Sequence, residues 1–161
     1  MQQTTPTFSG KDNTTKKSST YHQDPVISEA NEKSSPYVNY NWQDQDILIV
    51  EDDYSSYRFL EAIISKTSAR IHHAVDGKRA IDFCKKNPSV DLVLMDIQLP
   101  IMDGYKATKE IKKLRKNLPV IAQTAHALEE DKSKSLKAGC DDYIAKPINK
   151  NNLLNIINKY L

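Results

Sequence analysis

Among its 161 residues the chain has 2 cysteines, 4 glycines and 1 tryptophan, so little of it is stapled or punctuated. Cys84 and Cys140 form no CxxC pair. Two thiols in a charged chain without a secretory leader are expected to stay reduced, as in a cytoplasmic protein, which argues against a disulfide framework or a thiolate metal site. The few glycines build neither a glycine-rich phosphate loop nor a dinucleotide fingerprint. No apolar run approaches the roughly 20 residues needed to cross a bilayer. The N-terminus MQQTTPTFSG lacks the basic and apolar blocks of a signal peptide. The chain therefore reads as soluble and cytoplasmic, with no membrane partner. An excess of one charge is missing too: 23 Lys and Arg stand against 21 Asp and Glu, and a formal net charge of +2 draws neither nucleic acid nor membrane through bulk electrostatics.

What is present falls into two parts, split where composition changes near Asp44. Residues 1–44 are crowded with Ser, Thr, Asn, Gln and Lys and carry no periodic apolar pattern. Such a segment cannot bury enough surface to offset ordering entropy, and it reads as a disordered tail or linker. Tyr37, Val38, Tyr40 and Trp42 form a patch that can lean on the adjoining domain. Residues 45–161 are about one domain's worth of chain. There short apolar runs alternate with amphipathic segments, the pattern of parallel strands joined by crossover helices.

Five such units can be counted. ILIV (47–50) precedes a helix of about three turns with Tyr57, Leu60, Ile63 and Ile64 at helical spacing. RIHHA (70–74) is the weakest strand; Asp76 then caps a helix bearing Ala80, Ile81 and Cys84 on one face. DLVLM (91–95) returns to the sheet, and Gly104 opens a basic helix ending near Asn117, with Ala107, Ile111 and Leu114 as its buried stripe. VIAQT ends in Thr124, a helix from Leu128 to Lys137 stops at Gly139, DYIA is the fifth strand, and Leu153–Leu161 the fifth helix. The predicted fold is α/β: a flavodoxin-like, doubly wound, five-stranded parallel sheet of order 2-1-3-4-5 with five helices, whose site lies at the switch between strands 1 and 3.

Those two strands both end in acid. The first delivers Glu51, Asp52 and Asp53; the third delivers Asp96, held before a loop whose Pro100 and Gly104 bar strand and helix from continuing. Carboxylates massed in this way repel unless a cation joins them. The fourth strand ends in the hydroxyl of Thr124, and the fifth in the amine of Lys146, followed by Pro147. Acid, acid, hydroxyl and amine at four strand ends suit a carboxylate that accepts a phosphoryl group with help from a divalent metal.

The segments VEDD, LMDIQLPIMDGY, QTAHA and DDYIAKPI resemble, in order and spacing, the motifs of response regulator receiver domains over roughly residues 46–161. The resemblance is nearest to the receivers of hybrid sensor kinases and single-domain response regulators. It implies Asp96 as phosphoacceptor, Glu51 and Asp52 as the acidic pair positioning magnesium, and the Gln98 backbone carbonyl as a further ligand. It also implies Lys146 as the counter-charge of Asp96 and of the phosphoryl group, Thr124 as hydroxyl donor to that group, Thr124 with Tyr143 as a switch pair, and a cis Lys146–Pro147 peptide. The implied partner is a histidine kinase or a histidine phosphotransfer protein, with a downstream protein target that the sequence does not name.

Plainer readings stand beside these. Asp96 alone is an ordinary turn residue, Tyr143 an ordinary strand tyrosine, and Asp53 is as much a helix N-cap as a metal neighbour. Gln98 and His126 depart from the residues many family members carry there, which points to a modified phosphoryl lifetime; His126 as a second phosphoryl site is a bolder reading than that of a surface histidine beside a loop. The lysines of the third helix read as a solvated face, since no aromatic residues interleave for base stacking, and no nucleic acid partner is expected. The expected function is a phosphorylation-dependent switch, not an enzyme with an external substrate. One alternative is the receiver segment of a hybrid sensor kinase, against which Met1 and a tail without kinase glycine motifs weigh. Another is a magnesium-dependent phosphohydrolase using an aspartyl phosphate, which usually places an acid where this chain has Gln98 and needs a substrate-covering cap.

Overall fold

The computed structural model describes residues 39–125 and 129–161, without the side chains of residues 129–132. Residues 1–38 and His126 thus lie outside the described residues, as do the expected patch members Tyr37 and Val38 and the expected first residue of the fourth helix, Leu128. The elements alternate: β1 (Asp46–Val50), α1 (Tyr54–Ile64), a 3-10 turn (Ser65–Thr67), β2 (Arg70–Ala74), α2 (Gly77–Lys86), β3 (Val90–Asp96), α3 (Gly104–Leu114), β4 (Val120–Thr124), α4 (Glu129–Ala138), β5 (Asp142–Ala145) and α5 (Lys150–Asn158). All pairings are parallel, and the strand order is β2-β1-β3-β4-β5.

β1 and β4 are buried along their whole length because helices cover both faces, and such strands need apolar residues at consecutive rather than alternate positions. Side-chain alternation then splits the core into two layers. Leu48, Val50, Val93, Met95, Val120 and Ala122 pack with Ala80 and Cys84 of α2 and with Ala107 and Ile111 of α3. Ile47, Ile49, Leu92, Leu94 and Ile121 pack with Leu60, Ile63 and Ile64 of α1 and with Leu153, Leu154 and Ile157 of α5. Burial pushes the thiols of Cys84 and Cys140 up to about 11, so both are protonated core residues.

Caps set most helix starts. Asp53, Asp76 and Asp103 each accept a hydrogen bond from the backbone N–H three residues on, opening α1, α2 and α3. Asn149 accepts from Asn151 and Asn152, so α5 begins at Lys150, three residues before the expected Leu153. Two readings of α3 need correction. It stops at Leu114, because Arg115 leaves helical geometry and turns the chain by accepting from the Leu118 N–H. Leu114 is half exposed, its place in the buried stripe taken by Thr108.

Order also begins ahead of position 45. Trp42 is buried against the α1/α5 layer, its N–H donates to the Thr67 carbonyl at 2.6 Å, and its indole N–H reaches Asn158 Oδ1 at 3.3 Å. The Tyr40 hydroxyl donates to Asn155 Oδ1 at 2.6 Å. A polar segment with two aromatics thus finds apolar cover that its own composition cannot supply.

At the start of β1, the Asp46 carboxylate is nearly buried and accepts from Arg70 Nε and Nη2 at 3.0 and 2.8 Å, with His72 Nε2 at 2.7 Å. The Arg70 guanidinium holds this carboxyl well below the usual carboxylate range, with His72 assisting against the cost of burial. Such a group stabilises the native state above the ordinary aspartate value and loses that contribution as pH falls toward its native one. Asp46→Asn is therefore expected to cost about 1–2 kcal/mol at neutral pH and less in acid, measured by urea unfolding at both. An equal loss at the two pH values would show that the charge is not responsible.

Candidate functional site

β1 and β3 lie side by side in the middle of the sheet, paired through Val50↔Met95. One residue further on, Glu51 and Asp96 therefore stand side by side at the strand ends, on the face that carries α1 and α5. Both are buried, at 1% and 4% exposure, and Asp52 stands exposed at the mouth. One carboxylate oxygen from each of Glu51, Asp52 and Asp96 lies within 4.8 Å of the others. Lys146, delivered by β5, donates to Glu51 Oε2 at 2.9 Å and to Asp96 Oδ2 at 2.8 Å. Its own backbone N–H donates to the Thr124 carbonyl at 2.7 Å, which ties it to the end of β4. The Lys146–Pro147 peptide is cis.

Backbone donors complete the carboxylates. The Gln98 N–H reaches Asp96 Oδ1 at 3.0 Å, and the Asp53 N–H reaches Glu51 Oε1 at 3.3 Å. Of the two readings of Asp53, the structure shows the cap: its Oδ1 accepts from the Ser56 N–H at 2.8 Å. The loop after Asp96 folds back onto the strand, with the Gly104 N–H on the Ile97 carbonyl at 3.0 Å. A Cβ at Gly104 would stand 2.1 Å from the Asp96 carbonyl oxygen, so only glycine allows this approach. The tightest bend falls on Ile101, at φ +66 with the Met102 N–H on the Pro100 carbonyl at 2.6 Å, a γ-turn that strains a β-branched residue.

The charges are mutually dependent. Burial pushes the Glu51 carboxyl up, and the negative Asp96 beside it adds to this against the pull of Lys146. Burial works against the Lys146 ammonium, yet its bonds to Asp96 and Glu51 outweigh that and hold its pKa above the ordinary lysine value. Three hard oxygen donors on one side of a fixed ammonium fit a small divalent cation that keeps several waters, as magnesium does.

Thr124 is buried at the end of β4, one residue beyond Gln123, which pairs with Asp96. Tyr143 is half buried; it pairs with Ala122 and packs against the α2/α3 layer, on the face to which Thr124 belongs. The structure thus brings Glu51, Asp52, Asp96, Gln98, Thr124 and Lys146 to one end of the sheet, with Tyr143 one strand away. Sequence reasoning missed His73, whose Nε2 is 2.8 Å from the Glu51 carbonyl and whose ring stacks on Tyr57 at 3.7 Å. The signal was its position in RIHHA, where alternation points the second histidine at α1. It also missed the buried amide of Gln123.

The chain belongs to the response regulator receiver domain family, whose model matches residues 47–158. It is 42% identical over 122 residues to hybrid signal transduction histidine kinase I of Dictyostelium discoideum, covering 71% of this chain and 7% of that protein. To the signal transduction histidine-protein kinase BarA of Escherichia coli it is 37% identical over 116 residues, covering 71% of this chain and 12% of that one. The chain therefore spans a small fraction of these relatives, and its counterpart in them is a receiver domain. Among solved structures, the receiver domain of sensor histidine kinase PA1611 from Pseudomonas aeruginosa, with magnesium coordinated in its active site cleft, is 36% identical at a TM-score of 0.67, covering 72% of this chain and 96% of that one. A co-crystal of the Saccharomyces cerevisiae histidine phosphotransfer signaling protein Ypd1 with the receiver domain of its downstream response regulator Ssk1 matches at 29% identity and a TM-score of 0.70, covering 77% and 91%. Among the described residues, no helix is long and apolar enough to cross a membrane.

The geometry makes Lys146→Met informative. Without the ammonium, two buried carboxylates face each other, which is expected to cost about 2–4 kcal/mol at neutral pH. Because the Glu51 carboxyl already titrates above the ordinary glutamate range, the native state gains relative stability as pH falls toward that range, and the deficit should shrink with it. Millimolar magnesium should shrink it as well. Thermal melts across pH, with and without magnesium, check both, and a deficit indifferent to either would mean that the carboxylates do not repel.

Proposed function

We propose that this domain is a phosphorylation-dependent signalling switch in which Asp96 accepts a phosphoryl group from a phosphohistidine of a histidine kinase or phosphotransfer protein. The supporting observation is the convergence of Glu51, Asp52 and Asp96 on one point, with Lys146 bonded to two of them. In the transfer an Asp96 oxygen forms a bond to phosphorus as the phosphorus–nitrogen bond of the donor breaks, and the imidazole leaves with its ring nitrogen free. Lys146 holds Asp96 in place beforehand and shifts part of its charge to the phosphoryl oxygens afterwards. The Thr124 hydroxyl donates to one of those oxygens, and its movement lets the Tyr143 ring turn. Glu51, Asp52, Asp96 and the Gln98 carbonyl are the residues that would hold magnesium. When bound, the ion screens the repulsion between the incoming phosphoryl group and the carboxylates.

On this reading the domain modifies itself and turns over no external substrate. The alternative of a phosphohydrolase gains nothing from position 98, where an exposed glutamine stands in place of an acid. The origin of the domain in a hybrid sensor kinase is favoured by the relatives, in which the matched stretch is part of a much longer chain. The chemistry at Asp96 is the same in either setting.

Incubation with magnesium and a small-molecule phosphoryl donor, followed by intact mass, is expected to show one phosphoryl adduct that alkaline hydroxylamine removes. Asp96→Asn should abolish it, a loss of at least a hundredfold. An adduct that persists in Asp96→Asn would move the acceptor elsewhere, and continuous release of inorganic phosphate would make the protein a phosphohydrolase. Thr124→Ala should still be labelled while losing the change in Tyr143 ring signals that labelling produces.

A further inference from the structure

A cavity of about 380 Å³ opens between α1 and the turn from β5 into α5. Phe59 and Leu60 form one wall, Pro147 and Ile148 the other, and Gln123, Glu51 and Lys146 line it as well. Its size falls in the range of small-molecule sites, roughly 300–1,000 Å³, and its mix of apolar walls with a few convergent polar groups is typical of them. Gln123 itself is fully buried, and among the described residues it alone has buried side-chain atoms, Oε1 and Nε2, that lack a hydrogen-bond partner.

A desolvated carboxamide of this kind is costly, and an apolar side chain of equal size would serve the core better. A partner would recover that cost, and the cavity that Gln123 lines is the direction from which one can come. We propose that this cavity binds a small, neutral, flat molecule carrying a cis-amide edge, such as a carboxamide or lactam, which pairs with Gln123 through two hydrogen bonds. The donor and acceptor of Gln123 lie side by side and require one acceptor and one donor in return. The apolar body of the ligand lies between Phe59 and the Pro147–Ile148 wall. Phe59 is half exposed on the rim, at 49%, and the proposed ligand reaches the amide past its ring. Anions are disfavoured: the polar end of the cavity holds Glu51 beside Asp96, two carboxylates against the single ammonium of Lys146.

Benzamide is the probe. Titrated into the full chain and followed by two-dimensional amide NMR, it is expected to give saturable shifts of the Gln123 side-chain N–H pair and of the Phe59 and Ile148 backbones. Gln123→Leu and Gln123→Met should weaken benzamide at least tenfold while melting no lower than the parent. Benzoate, with the same ring and a negative charge, should bind at least tenfold more weakly than benzamide. Absence of shifts up to the solubility limit, or undiminished binding by both variants, would overturn the proposal. So would variants that both melt below the parent, since the amide would then have a partner already. Equal affinity for toluene and benzamide would leave an apolar groove suited to a partner's side chain and would likewise overturn it. Phosphoryl labelling of Asp96 in the same samples reads the signalling function separately, so failure of one leaves the other standing.

Discussion

Glu51 and Asp96 are buried within reach of one another, and the ammonium of Lys146 is what keeps them there. Two like charges about 5 Å apart repel by about 3 kcal/mol at an effective dielectric of 20, a sizeable share of the stability of a small domain. The lysine offsets this by bonding both carboxylates at once, and the backbone N–H groups of Gln98 and Asp53 each take a further oxygen. The resulting cluster is balanced only while all three side chains remain. Any added charge, whether a divalent cation from the solvent side or a phosphoryl group on Asp96, must redistribute those bonds. A site of this kind responds to chemistry because its resting state is an electrostatic compromise.

The fold serves that compromise by fixing backbone rather than side chains. β1 and β3 are adjacent, so one register, Val50↔Met95, sets Glu51 beside Asp96. Gly104 lets the loop close onto the Asp96 carbonyl, and the γ-turn at Ile101 turns the chain tightly enough to return there. The Lys146 N–H on the Thr124 carbonyl locks the fifth strand end to the fourth. At the opposite end of β1, the ion pair of Asp46 with Arg70 and its hydrogen bond with His72 hold β2 against β1, and Trp42 packs into the α1/α5 layer. Strain and charge are concentrated at the two ends of the strands, with an apolar sheet between them.

The strands and their acid-bearing ends were legible in the sequence because both depend on local patterns, namely apolar runs of strand length, helical periodicity, and punctuation by Asp76, Gly104 and Gly139, and the strand order followed from five alternating units of this kind. Helix ends were less so. Asn149 opens α5 through two backbone bonds, whereas Leu153 is merely the first apolar residue to be buried. Leu114 belongs to the apolar spacing of α3, yet the helix ends beneath it and leaves it half exposed. Trp42 stood out in a polar tail as part of a patch able to lean on the domain, but only the fold shows that α5, more than a hundred residues later, supplies its cover. Ile101 gives no sign of a positive φ, since its conformation is imposed by closure of the loop on both sides. Alternation in RIHHA gives the side of the sheet on which His73 lies, but neither its stacking on Tyr57 nor the unpaired amide of Gln123 is written in strand spacing, since both depend on what the facing helix and neighbouring strand bring to them.

Alternation along β4 gives the site two outlets. Thr124 shares its face with Val120 and Ala122, in the layer of α2 and α3, where Tyr143 packs beside Ala122 and α4 adjoins α3. Gln123 points the other way, into the layer of α1 and α5, and its backbone carbonyl accepts from the Ile97 N–H directly after Asp96. A displacement of the β4 end therefore moves a hydroxyl in one layer and a carboxamide in the other. The first layer holds the half-buried Tyr143 ring against its packed core, whereas the second retains an unpaired amide beside a cavity. A small shift in a packed layer must propagate to its neighbours, whereas beside a cavity it can be absorbed or met by a ligand. Neighbouring residues in QT thus face opposite layers, and both follow any movement of the same strand end.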